Sequence, residues 1–322
     1  MSERKEYLLE AEHLKKYFRT SNGILHAVDD VSFRVEKGKT LGVVGESGCG
    51  KSTLGRAVAH LQDATEGTLR FEGKDISVLK GRALKNYRHD MQMIFQDPFS
   101  SLNPRLSVSQ IIAEPMTIYR DYENQADLEQ KVGKLMDTVG LAKRLASSYP
   151  HELDGGRRQR IGIARAISLN PKFIVCDEPV SALDVSIQAQ ILNLMQDLQQ
   201  ERRLTYLFIT HNMAVVRHMS DQIMVMYLGM VVEFADADAI FDEQFHPYTK
   251  ALMASVPVPE LGKKKVRSLL KGELSSPIDP KPGCRFAARC PYASEQCFTE
   301  TPSLREIRNG HYTACHRAEE IN

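Results

Sequence analysis

The residues Gly45, Glu46, Ser47, Gly48, Cys49, Gly50, Lys51, Ser52 and Thr53 match G-x-x-x-x-G-K-[ST]. They fall between a short apolar run and a helical pattern, the setting in which that motif cradles phosphates. Glycines at 45, 48 and 50 let the backbone curl so that its N–H groups point inward at phosphate oxygens. The helix that follows adds its positive N-terminal end. Lys51 is placed to reach β- and γ-phosphates, and the Ser52 hydroxyl suits a Mg²⁺ position. The bland alternative is a glycine-rich turn with a chance lysine, and the strand–loop–helix setting argues against it.

A carboxylate pair, Asp177 and Glu178, closes the apolar run Phe173–Cys176. Four apolar residues carry Asp177 to a strand end, where it can hold Mg²⁺ directly or through water. Glu178 points to the other side and is placed to polarise an attacking water. Alone, such a pair is more often a solvated strand end. Downstream of a phosphate loop it reads as catalytic.

These groups need a scaffold, and the chain spells out an alternating one. Residues 1–35 read as short strands. Thr40–Gly45, Met91–Phe95, Lys172–Asp177 and Thr205–Thr210 read as buried strands, each a short apolar run. A helix starts at Lys51 with Leu54, Val58 and Leu61 on one face. Helices also follow Ser186 and Asn212, and Ser107–Leu169 is mostly helical with a break at Tyr149-Pro150. Strands alternating with helices predict an α/β fold with a parallel core, an N-terminal antiparallel β subdomain and an inserted helical lobe at about 97–160. The division expected is a nucleotide-binding domain over 1–250 and a small cysteine-rich appendage over 251–322. The segments Val256–Ser268 and Ser275–Gly283 are rich in Pro, Lys and Ser and read as linker.

The charge balance, 42 Lys and Arg against 41 Asp and Glu, offers no electrostatic case for nucleic acid as the main partner. No stretch reaches the roughly 18 apolar residues of a membrane span. The nearest, Ile223–Ile240, is interrupted by Glu233, Asp236 and Asp238. The charged amino terminus lacks the apolar core of a secretory signal. The expectation is a protein that is cytosolic, or attached to a membrane only through partners.

Further segments carry a family resemblance. Leu153–Arg157, reading LDGGR, resembles the signature motif of ABC ATPases, whose usual form is LSGGQ. Ser181–Asp184 resembles the D-loop, His211 the switch histidine, and Gln96 the Q-loop glutamine. The phrases QDPFSSLNPR and HPYTKALMASVP, with the C-terminal cysteines, resemble the ATP-binding subunits of oligopeptide and dipeptide importers, a family that also includes nickel and glutathione importers.

The resemblance implies ATP and Mg²⁺ as cofactors. Phe18, or neighbouring Tyr17, would stack on adenine. Gln96 would sense the γ-phosphate or its Mg²⁺. His211 would bond the γ-phosphate and orient Glu178 and water. Asp154, Gly155, Gly156 and Asp184 would meet the nucleotide or surface of an opposing subunit. Plain core packing is the alternative for Phe18, and a structural histidine for His211. The implied machine imports di- or oligopeptides by ATP-driven closure and opening of a pair. Its parts are a second, non-identical ATPase subunit, two integral-membrane permease subunits and an extracytoplasmic substrate-binding protein, with no nucleic acid. Its place is the cytoplasmic face of the cell membrane. Nickel, glutathione or sugars are alternative cargoes. A soluble ABC ATPase of DNA repair or translation is the rival class, disfavoured by one cassette and no coiled-coil insertion.

Two features depart from plain expectation. Asp154 and Arg157 stand where serine and glutamine are usual. An ionised Asp cannot donate to a phosphate and repels it by roughly 4 kcal/mol at about 4 Å and an effective dielectric of about 20. Either the composite site built on this signature is weakened, which is the reading favoured, or Arg157 pairs with Asp154. Cys284, Cys290, Cys297 and Cys315 are spaced C-x5-C-x6-C-x17-C, without the close knuckle of structural zinc sites. Zinc or no metal stays open on spacing; the family resemblance implies a [4Fe-4S] cluster. Cys49, beside Lys51 and a helix start, is expected to have a lowered pKa, and Cys176 to be a buried strand residue.

Overall fold

The computed structural model describes residues 6–254 and 276–321. In chain order the first elements are β1 Tyr7–Thr20, β2 Gly23–Glu36, β3 Thr40–Val44, α1 Lys51–Val58, β4 Glu66–Phe71, β5 Lys74–Asp75, α2 Gly81–Asp90 and β6 Met91–Ile94. Then come α3 Pro98–Ser101, α4 Val108–Tyr119, α5 Gln125–Thr138, α6 Gly155–Ile167, β7 Phe173–Asp177, α7 Val185–Arg202, β8 Thr205–Thr210 and α8 Met213–Met219. The rest are β9 Gln222–Tyr227, β10 Met230–Asp236, α9 Ala237–Asp242, α10 Pro247–Ala254, α11 Glu295–Thr299, β11 Arg305–Arg308 and β12 His311–Thr313. Among the described residues no helix is long and apolar enough to cross a membrane.

The chain divides into two compact units. One holds Glu36–Lys39 and Val78–Leu207 with the residues up to Leu8; the other holds Leu9–Val35, Thr40–Ser77 and the residues from Phe208 on. In the first unit β6 and β7 pair in parallel, and β7 is buried along its whole length. A strand covered on both faces reads as an unbroken apolar run, which is why Phe173–Cys176 was legible. Helices α3 to α6 fill Pro98–Ile167. Ser107 caps α4 in a reciprocal box with Gln110. The expected break at Tyr149-Pro150 is a 3-10 turn, Pro150–Glu152.

In the second unit β3 lies parallel to β9, and the sheet continues antiparallel through β10 and β12 to β11. A separate antiparallel sheet has the order β2-β1-β4-β5. Its strands β1 and β2 run 14 residues each, longer than expected. Helix α1 stops at Val58, so Leu61 lies beyond it and is exposed, contrary to its expected place on the buried face. His60 explains the stop: its φ of 54° is left-handed, which ends a helix.

The expected linker over 256–268 lies outside the described residues. The described part of the second linker is not free chain. Pro277 accepts from the His26 amide at 2.9 Å, and the Asp279 amide donates to Ile24 at 2.9 Å.

The cysteine-rich end is tied to its sheet by β12 and by a buried carboxylate. Glu233, fully buried on β10, accepts from the Phe245 amide at 2.7 Å and the His246 amide at 3.0 Å, and pairs with His311 at 2.8 Å. Cys284, Cys290, Cys297 and Cys315 border one small apolar cavity together with Phe286. The [4Fe-4S] cluster expected on these four residues is not supported. Among the described residues no group of three or more His, Cys, Asp or Glu could hold a metal ion. Burial raises the Cys284 thiol to about 11 and also raises Cys290 and Cys315. Burial thus disfavours the bare thiolate at these three residues. The expectation rested on spacing and resemblance, and neither reports that environment.

Candidate functional site

Gly45–Gly50 sits between β3 and α1, as expected, and Lys51–Thr53 form the first turn of α1. Gly50 caps α1 with φ 105°, and a Cβ there would lie 1.9 Å from the Ala27 carbonyl oxygen. Only glycine fits that approach. The N-cap Gly50 supplies no side-chain oxygen to α1, so an anion can take the place of a cap there. Lys51 is buried, donating to the Gly45 carbonyl at 2.7 Å and the Glu46 carbonyl at 2.9 Å. The Cys49 expectation fails: burial raises its pKa, and the nearby Lys51 charge does not reverse this. Sequence adjacency showed the lysine but not the depth. Cys176 is buried in β7, as expected.

The two aromatic candidates differ. Tyr17 donates its hydroxyl to Asp29 and stacks on His26 with ring centroids 4.0 Å apart. Burial and Asp29 raise its pKa. The Phe18 ring makes no such polar commitment and lies beneath the Lys16 ammonium, 5.0 Å from its centroid. His211 follows β8 on an exposed position in the same unit as the loop.

Asp177, Glu178, Gln96, Asp154 and Asp184 belong to the other unit. Asp177 is buried at the end of β7. Glu178 follows with φ 46°, a left-handed conformation costly for a residue with a Cβ. Gln96 donates to the Glu178 carboxylate at 3.1 Å, so the structure joins the Q-loop candidate to the catalytic candidate directly. The Ser52 hydroxyl, the Asp177 carboxylate and the Gln96 amide oxygen are hard oxygen donors that suit Mg²⁺.

The signature residues begin α6. The Asp154 carboxylate accepts from the Arg157 amide at 2.8 Å and lies 3.4 Å from Arg157 Nε. A Cβ on Gly156 would come 2.7 Å from Ile187, and one on Gly155 would come 3.1 Å from Leu183. The signature and D-loop candidates are thus brought together. Asp184 caps α7, accepting from the Ile187 amide at 3.0 Å and the Ser186 hydroxyl at 2.8 Å. These bonds hold its carboxyl below the usual range.

Three further features were not foreseen. Arg289 forks onto the Glu46 carboxylate at 2.7 and 3.1 Å, and the Glu46 amide donates to the Tyr248 hydroxyl at 2.8 Å. The only hint in the sequence was an acidic residue inside a phosphate loop. Arg285 pairs with Asp29. A groove of about 710 Å³ runs along α4 and α5, lined by apolar residues such as Ala113, Ile118, Leu128, Val132 and Met136. Ile118 stands exposed in its lining.

Comparison with known proteins gives concordant results. A family model described as ABC transporter matches residues 28–181, and one described as the C-terminal region of oligopeptide/dipeptide transporters matches 232–297. The chain is 50% identical to the putative oligopeptide transport ATP-binding protein YkfD of Bacillus subtilis, over 96% of this chain and 95% of that one. It is 49% identical to the oligopeptide transport ATP-binding protein OppF of Escherichia coli, over 94% of each. Among solved structures it resembles the ATP-binding cassette MJ0796 in a dimeric post-hydrolysis state bound to ADP and Pi. That match has 26% identity and a TM-score of 0.66, over 71% of this chain and 98% of that one.

Proposed function

Since the chain belongs to the ATP-binding subunits of ABC transporters, and is an ATPase, we propose that it powers import of di- and oligopeptides through a membrane permease. One observation carries this reading: a phosphate loop in the ABC transporter region and an oligopeptide/dipeptide C-terminal region occur in one chain.

On this reading the Gly45–Thr53 amides hold the phosphates of ATP, and Lys51 turns from the Gly45 and Glu46 carbonyls to the β- and γ-phosphates. Ser52, Asp177 and Gln96 would hold Mg²⁺, which supplies charge neutralisation at the phosphates when bound. Phe18 stacks on adenine, and Tyr17's commitment to Asp29 and His26 favours that choice. Glu178, steadied by Gln96, polarises the attacking water, with His211 orienting both. Asp154, Gly155, Gly156 and Asp184 face the site of a second ATPase subunit. Asp154 and Asp184, both exposed and each capping its own helix, support that role. That second subunit is non-identical, since a homodimer would place LDGGR in both sites.

Two permease subunits and an extracytoplasmic binding protein complete the machine. The apolar α4–α5 groove suits an amphipathic helix of the permease. The chain then sits peripherally on the cytoplasmic face of the membrane. Reconstitution into vesicles with its permease and binding protein tests the proposal. ATP should drive uptake of labelled tripeptide, and Lys51→Ala should abolish it. ATP-driven uptake of nickel or glutathione without peptide would overturn the cargo.

A further inference from the structure

Glu46 places a carboxylate in a loop built to receive a polyanion. An uncompensated carboxylate there would repel phosphate, yet every polar group of Glu46 is engaged. Its carbonyl takes Lys51, its amide donates to Tyr248, and its carboxylate receives both arms of Arg289. The last two partners come from α10 and the cysteine-rich end. The pair is poorly screened: the Arg289 side chain is 8% exposed and that of Glu46 22%. A forked guanidinium–carboxylate pair fixes orientation as well as charge.

Arg289 is itself held. It lies in the 3-10 turn Ala287–Arg289, donates to the Tyr227 hydroxyl at 3.3 Å and sits over that ring. Phe286, just before the turn, packs against Tyr227 and Tyr248 with centroids 5.3 and 5.5 Å away. A second line runs from Arg285, which donates to the Leu228 carbonyl. The neighbouring Gly229 amide donates to the Cys49 carbonyl in the loop at 2.8 Å.

We infer that the cysteine-rich end forms the outer wall of the nucleotide site, with Arg289 as a positioning residue that sets the phosphate loop and cancels the Glu46 charge. The inference rests on the reading of Gly45–Thr53 as the ATP loop. When Lys51 leaves the Glu46 carbonyl for phosphate, the loop loses an internal tie. Arg289 and Tyr248 then keep its curl, so less ordering is required on binding.

MgATP binding to the full-length chain, read by calorimetry, tests this. Arg289→Ala should weaken binding on the order of tenfold, about 1.4 kcal/mol. Arg289→Lys, which keeps the charge but loses the fork, should recover part of it. In Arg289→Ala with Glu46→Gln, binding should be tighter than in Arg289→Ala alone, because the unpaired carboxylate is gone. In the assembled transporter Arg289→Ala should raise KM for ATP with kcat little changed. If Arg289→Ala does not fold, Glu46→Gln breaks the same clamp from the loop side and should also weaken binding. Unchanged affinity in whichever of these variants folds overturns the inference. So does equal loss in the Ala and Lys variants with no recovery in the double variant. Lys51→Ala separates the two readings. If it binds MgATP like the wild type, the loop itself is misread. If it abolishes binding while Arg289→Ala binds MgATP as tightly as the wild type, only the Arg289 inference fails.

Discussion

The starts of α1 and α6 are both glycine-rich, and they solve the same problem in opposite ways. α1 begins at Gly50 with no side-chain cap, its loop walled in by Tyr248 and Arg289. α6 begins at Asp154, whose own carboxylate fills the amide that a phosphate could take. The Asp154 and Arg157 side chains are 61% and 48% exposed, and Val185, next to the D-loop cap, is 82% exposed. An uncapped, walled helix start is a receptacle. A self-capped, exposed one has already satisfied its own amide and leaves its side chains to solvent. The contrast matches the proposal of a site shared between two subunits, each lending a different face.

The largest effect expected tests the chemistry beside the exposed face. Glu178→Gln in the assembled transporter should cut ATP turnover by about 10²–10⁴-fold while keeping MgATP binding. Hydrolysis at the wild-type rate would remove Glu178 from the mechanism and leave the exposed region without a catalytic group.

The next effect probes the walled region. Glu233→Ala strips the Phe245 and His246 amides and His311 of their buried acceptor. It should cost about 3 kcal/mol in urea unfolding. A loss below about 0.5 kcal/mol, the range of ordinary surface substitutions, would mean that the cysteine-rich end is not anchored through this carboxylate.

The same wall should sense acid. Burial lowers the His246 pKa to about 4, and its Nδ1 accepts from the Tyr248 amide at 3.1 Å, so the ring is neutral. The folded value lies below the unfolded one of about 6.5, so the unfolded chain binds the extra proton. Stability from this group is complete above about pH 6.5 and is lost as pH falls toward about 4, by up to about 3 kcal/mol. His246→Asn should flatten that limb of a melting-temperature profile. An unaltered limb would assign it to other groups.

What the sequence disclosed, and what it hid, follows from separation and burial. The phosphate loop was readable because its chemistry is contiguous, and β3, β7 and β8 because buried strands are unbroken apolar runs. The same rule explains Ile223–Ile240, the stretch nearest to a membrane span. It is β9 and β10, joined at Leu228 and Gly229, both with positive φ, and the first residues of α9, and most of its apolar residues face a core. Helix α2 escaped notice because only Tyr87 on it is buried, leaving no apolar stripe. The Arg289–Glu46 clamp joins residues 243 apart, and no local pattern announces such a pair. Cys49 was misjudged for a related reason: a neighbouring lysine is visible in sequence, and burial is not.

The smallest effect concerns Asp154 and decides how far the contrast between the two helix starts reaches. The carboxylate does two things at once: it caps α6 and it carries a charge 3.4 Å from Arg157 Nε. Asparagine caps as well as aspartate but carries no charge, and alanine does neither. Asp154→Ala should therefore cost about 1 kcal/mol of stability and Asp154→Asn almost none. If the charge weakens the partner's site, Asp154→Ser with Arg157→Gln should raise turnover there about two- to fivefold, an effect of under about 1 kcal/mol. Because both side chains are exposed, salt should shrink that gain, with a Debye length near 8 Å at physiological ionic strength. If the double variant and the wild type turn over alike at low salt, Arg157 already neutralises Asp154. The two helix starts would then differ only in how they are capped. A gain that persists unchanged at high salt would point instead to the serine hydroxyl as a donor, because a hydrogen bond to phosphate is not erased by screening.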